Sequence, residues 1–153
     1  MVENQSRAML ILAGVVVIIV LAASIQKLKP IEQEAQETGA KLAKVWMQES
    51  VQRYHQAWLV HGEPKQLFMD GFKLTMTEGG LVSPFKSSDV LDCDYWLMVH
   101  YPQRKIMASE LLEIRGAIKS NSYTCQYTYE NGQRVIVILD ANYLKIDVET
   151  LTE

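Results

Sequence analysis

Apolar and polar positions are unevenly spread along this chain, and their pattern changes character three times. From position 8 to position 26 there is no charged residue, and positions 8–23 form one unbroken run of apolar residues and glycine. Arg7 precedes the run; Lys27, Lys29 and Pro30 follow it. Eighteen or nineteen helical residues reach roughly 27–29 Å, about the thickness of a bilayer's hydrocarbon core. Val15, Val16, Val17, Ile18, Ile19 and Val20 are poor helix formers in water, but lipid obliges each backbone group to bond within its own segment. The pattern therefore predicts a transmembrane helix over 8–26, with Ala8, Gly14, Val17 and Ile25 as anchor residues. A cleaved signal peptide with its small-residue site near Ala22, Ala23 and Ser24 is a second reading. A buried core helix is a third, and a domain this small offers little interior for a helix apolar all round.

Residues 27–62 are helix formers almost throughout, and they predict an amphipathic helix. Glu32, Glu34 and Glu37 suit the positive end of a helix dipole. Pro30 fits a first-turn position or a kink. Ile31, Ala35, Thr38, Leu42 and Val45 recur at helical spacing, and so do Met47, Val51, Tyr54 and Trp58. The first stripe is thin and is read as exposed or partner-facing, with Leu42, Val45 and Trp46 as the contact residues. The second is heavy enough to dock on a sheet. Gly62 and Pro64 end the helix.

The remainder, 63–153, reads as a small β-rich domain. Positions 71–76 make a candidate strand, and 95–101 (YWLMVHY) another, closed by Pro102. Positions 109–118 are open between helix and strand. Tyr123, Cys125, Tyr127 and Tyr129 alternate with polar residues, and Asn131-Gly132 leads into a second alternating run, 133–139. Asn-Gly between two such runs predicts a two-residue type I′ hairpin that pairs Glu130 with Gln133, Tyr127 with Ile136 and Cys125 with Ile138. Positions 143–148 alternate as an edge strand. The expected class is α+β: a membrane helix that continues into a long amphipathic helix packed on a small antiparallel sheet.

Composition bounds the function. The 153 residues carry a net charge of −3 with 48% hydrophobic positions. That balance is too apolar for a disordered chain and too acidic for a nucleic-acid binder. The mean hydropathy of −0.03 is an average over the apolar N-terminal block and a polar remainder. Cys93 and Cys125 are the only cysteines, and an even pair suits an oxidising compartment. A bond between them would close a loop of about thirty residues; two reduced buried thiols or a redox pair are the alternatives. His55, His61 and His100 lack metal-ligand spacing with the cysteines. Asp89, Asp92 and Asp94 are oxygen-rich but follow no calcium-loop pattern. No nucleophile elbow and no phosphate loop is present, so neither catalysis, a cofactor nor a small-molecule substrate is expected.

The order of parts resembles type IV pilins and pilin-like proteins. Trp58-Leu59-Val60, Gly62 and Pro64, then Asp70-Gly71, then Thr77 to Pro84 (TEGGLVSP) look like the helix-to-sheet passage of minor pilins of the mannose-sensitive haemagglutinin (MSHA) system. Pro30 stands where pilins carry a helix-breaking proline. The resemblance implies a non-enzymatic component of MSHA pilus biogenesis. It would be a single-pass protein of the bacterial inner membrane, in contact with lipid, with its C-terminal domain in the periplasm. It would contact pilin-like proteins and the assembly machinery. Prepilins also carry a Gly or Ala cleavage position and a Glu at the fifth mature position. Here Ser6-Arg7-Ala8 precedes the run, and 9–23 contains no Glu. An accessory component is therefore expected ahead of a subunit of the fibre.

Overall fold

The computed structural model describes residues 2–86, 90–120, 122–141 and 143–151; within the long helix, the side chains of 2–8, 10 and 25–33 are not described. The chain divides into two compact units, residues 1–35 and 36–153. Helix α1 spans Val2–Val60.

In the first unit, all the described side chains of α1 between positions 9 and 24 are exposed. Met9 is 77% exposed and Ile18 67%. The expectation of a transmembrane helix, and of the inner-membrane location it implied, is corrected here. Among the described residues no helix is long and apolar enough to cross a membrane. Of the four expected anchor residues, Gly14 and Val17 are exposed. The side chains of Ala8 and Ile25 lie outside the described residues.

In the second unit, α1 buries Gly39, Ala40, Ala43, Met47, Ser50, Tyr54 and Trp58. From Ala40 on, this stripe advances by three or four positions at each step, the period of one helix face. The heavier half of the expected stripe is thus the packing face. Thr38, Leu42 and Val45 of the lighter stripe are exposed, and the small residues Gly39, Ala40 and Ala43 beside them pack. Small side chains let a helix approach its neighbours closely, which a count of large apolar positions misses. The helix ends in a Schellman arrangement. Gly62 takes φ +78, its N–H bonds Leu59 O, and the Glu63 N–H bonds Trp58 O at 2.9 Å.

Strands β1 (Gln66–Met69) and β2 (Phe72–Thr75) form a two-stranded hairpin. Its turn is Asp70-Gly71, both at positive φ, a dipeptide that favours the type I′ conformation. Only β2 was expected. Next comes α2 (Cys93–His100), where a strand was expected over 95–101. Six of its eight residues are buried, leaving only Asp94 and Met98 outside the core, so neither a helical nor a strand period shows. The local signal is the cap: Asp92 Oδ1 accepts from Tyr95 N at 2.8 Å, and Asp94 sits in the first turn.

Strands β3 (Leu111–Lys119), β4 (Ser122–Tyr129), β5 (Gln133–Leu139) and β6 (Leu144–Thr150) build an antiparallel meander in chain order. The β4–β5 register differs from the expected one by one residue: Cys125 faces Val137 and Tyr127 faces Val135. The loop holds three residues, Glu130 to Gly132. A 3.0 Å bond joins Gly132 N to Tyr129 O, and Gly132 takes φ +76. A type I turn followed by a left-handed glycine absorbs one residue more than a type I′ turn. That one step decides which face of β5 is buried: Val135, Val137 and Leu139 lie inside, while Ile136 and Ile138 are half-exposed.

Candidate functional site

The core of the second unit is where α1, α2 and the sheet meet. Met47, Val51, Trp96, Tyr127, Val137 and Ile146 surround one small internal space there. Cys93 and Cys125 are bonded, 32 residues apart, which ties the start of α2 to the middle of β4. The Tyr127 hydroxyl reinforces this link by donating to Cys93 O at 2.9 Å. Burial pushes the Tyr127 phenol far above its ordinary range, so the hydroxyl stays a donor.

A cleft of about 500 Å³ runs beside α1, lined among others by Trp46, Ser50, Arg53, Asp70, Phe72 and Tyr101. A second hollow of about 260 Å³ shares Trp46, Tyr101 and Gln103 with it and extends past Leu42 to Gly39. Together they form a groove along the helix face that carries two of the three expected contact residues. Leu42 is 45% exposed and Trp46 38%. Trp46 leans on Tyr101 with ring centroids 6.1 Å apart. Val45 is exposed but lines neither hollow.

The far end of the groove is polar. Arg53 pairs with Asp70 at 2.7 Å, and the Tyr54 hydroxyl donates to the same carboxylate at 3.0 Å. Burial, and then Asp70, push the Tyr54 phenol up to about 12. This triad holds the β1–β2 turn against α1.

Ser50 Oγ and His100 Nδ1 share a hydrogen bond of 3.2 Å at the floor of the cleft. A serine beside a histidine raises the question of a nucleophile and its base. Two features argue against it. His100 Nε2 is buried with no partner among the described residues, so no third group orients the ring. Burial, helped by the Arg53 charge, lowers the imidazole to about 3, far too weak a base for proton abstraction near neutrality. The pair is a packing contact, flanked edge-on by Tyr54 and Trp96.

The other polar candidates serve the fold. His55 bonds Gly80 O at 3.2 Å and stacks on Trp58. His61 bonds Ala57 O, one helical turn back. Asp92 caps α2 and Asp94 pairs with Arg104; Asp89 lies outside the described residues. Among the described residues no three His, Cys, Asp or Glu side chains gather to hold a metal. The buried His100 and its Ser50 partner were not singled out together from sequence, because fifty positions separate them.

Comparison with protein-family models, with curated proteins and with solved structures finds no match to this chain.

Proposed function

We propose that this chain is a non-enzymatic component of type IV pilus biogenesis of the MSHA kind, contacting pilin-like partners through the apolar N-terminal part of α1. The observation that carries the reading is the exposure of that part. Described positions 9 and 11–24 are apolar or small, all are exposed, and no described residue of the first unit covers them. A helix apolar on every side needs cover on every side, and neighbouring helices of the same composition supply it. Ala13 and Gly14 favour close approach, and a Cβ built on Gly14 meets no atom within 4 Å. The groove beside Leu42 and Trp46 is a separate candidate contact surface on the second unit. The order of parts, helix first and then an antiparallel sheet braced by a disulfide, supports the same reading by its resemblance to pilin-like proteins.

Affinity purification of the full chain from a piliated host tests it. Pilin-like proteins are expected to co-purify, and a deletion strain is expected to lose pili. Recovery of no pilus component, with normal piliation in the deletion strain, overturns the proposal.

The second reading is a minor subunit of the fibre. The all-round exposure of 11–24 favours it, since a subunit helix in a fibre is enclosed by other helices. Immunodetection in sheared pili distinguishes the two: a subunit appears in the fibre fraction, and an accessory component stays with the cells.

A further inference from the structure

Strand β3 is an open edge. Its neighbour on one side is β4. Among the described residues no backbone–backbone hydrogen bond outside the sheet ladder involves positions 112–119; the Cys93 sulfur lies 3.9 Å from Arg115 O. The strand is regular from Glu113 to Lys119; a bulge ends it at Leu111 and Glu113, and the turn to β4 ends it after Lys119. Long exposed edges attract a further strand unless they are blunted.

The pairing of Lys119 with Ser122 across a two-residue turn directs the Lys119 backbone groups toward β4. By alternation, Ile114, Gly116 and Ile118 each direct one N–H and one C=O to the open side. Gly116 is the midpoint of the regular stretch. Placed antiparallel about a two-fold axis at Gly116, two copies set Glu113 opposite Lys119 and Ile114 opposite Ile118, each twice. Arg115 then faces Ala117. Opposite charges therefore meet on one face, where Glu113 already pairs with Arg115 of its own strand at 2.8 Å, and branched apolar side chains meet on the other, pairs that favour this register. The apolar pairs lie on the face of Cys125 and Tyr127, because Ile114 faces Tyr127, and Gly116 faces Cys125, in the β3–β4 ladder. Ile118 is 55% exposed and would gain cover.

We infer that β3 is a self-association edge, whose partner is β3 of a second copy of this chain, joined antiparallel about Gly116 into one eight-stranded sheet. The two-fold makes the contact self-complementary and closed. The exposed Glu113–Lys119 pairs select register more than they add affinity. This inference does not depend on the pilus reading.

Cross-linking tests it on the full chain. Across the new edge, positions 113 and 119 form a non-hydrogen-bonded pair with Cα atoms about 4.5 Å apart, a separation that a disulfide accepts. A Glu113→Cys preparation and a Lys119→Cys preparation carrying different tags are mixed under mild oxidation. A mixed disulfide-linked dimer is expected at ten-fold or more the yield of either variant alone, since positions 113 of the two copies lie about 20 Å apart. Arg115→Cys mixed with Ala117→Cys is the second register pair and is expected to behave likewise, with peptide mapping to show that Cys93–Cys125 is intact. Equal yields in mixed and unmixed samples, or no cross-link at either pair, overturns the inference. Association that persists without these cross-links removes the β3 edge and leaves the proposed function standing.

Discussion

His100 is neutral inside the protein because charging it would place a cation among Tyr54, Trp96 and Met47 without a counter-ion, beside the like charge of Arg53. The consequence for stability has a definite sign. In the unfolded chain the imidazole binds a proton below about 6.5, whereas in the folded chain it resists until about 3. Between those values the unfolded state holds more protons, so stability is lost as pH falls through that window. Denaturant midpoints measured from pH 7 to pH 4 are expected to drop more steeply for the native chain than for His100→Asn. The difference is expected to reach about 1.4 kcal/mol per pH unit at most. Parallel curves would contradict it. Two glycines make a second contrast. At Gly80, φ is +70 and a Cβ would lie 2.2 Å from the Trp58 ring. Gly80→Ala is therefore expected to destabilise by about 2–4 kcal/mol. At Gly39, in α1, a Cβ meets chiefly the flexible Met107 side chain, and Met107 is 63% exposed. Gly39→Ala is expected to stay within about 1 kcal/mol of the native chain, because helix propensity offsets the displacement. Thermal melts of the two variants separate the cases.

At the scale of elements, the disulfide joins α2 to the sheet, and its sequence span sets its worth. Closing a loop of that length restricts the unfolded chain by about 3–4 kcal/mol. The Cys93→Ala, Cys125→Ala double variant is expected to unfold at correspondingly lower denaturant, and a thiol reductant should bring the native chain to the same midpoint. The outer face of α1 behaves differently. Leu42, Val45 and Trp46 are about half-exposed, so they add little to the core. Replacing all three by alanine is expected to change the melting midpoint only slightly while weakening recovery of pilin-like partners several-fold. A large loss of stability would show that this face is structural. The element that sequence misread most, α2, also explains the limit of pattern reading. A short helix buried on nearly all sides has no polar stripe, and its aromatic and β-branched residues suit a strand equally well.

At the scale of the whole molecule, two units divide the work. The second holds the core, both sheets and the groove; the first holds an apolar helical stretch that the unit itself leaves uncovered. Introducing Ile11→Asp and Ile18→Asp is expected to abolish co-purification with pilin-like partners and to leave the unfolding transition of the second unit unchanged. Circular dichroism melts and pull-downs on the same preparations check both halves. A variant that still recovers its partners would move the contact to the groove.

Local chemistry made much of this protein legible in one dimension. Residues 27–62 repeat at helical spacing, Gly62 can enter the left-handed conformation that ends a helix, and the alternation over 122–139 announces a hairpin. Each of these is decided by residues a few positions apart. What depended on distant partners was not legible. The packing of Ala40 and Ala43, beside the exposed Leu42 and Val45, came from how closely the rest of the second unit approaches α1. The one-residue register of β4 and β5 followed from a turn that lets Val135 and Val137, and not Ile136 and Ile138, meet the buried tyrosines. The Ser50–His100 contact joins positions fifty apart. The reach of the apolar N-terminal run, read as membrane-spanning from composition, was corrected on the described helix. The sequence by itself settled which segments are helix-prone and which alternate; the tertiary structure settled which faces are buried, because burial belongs to the space between elements and not to any one of them.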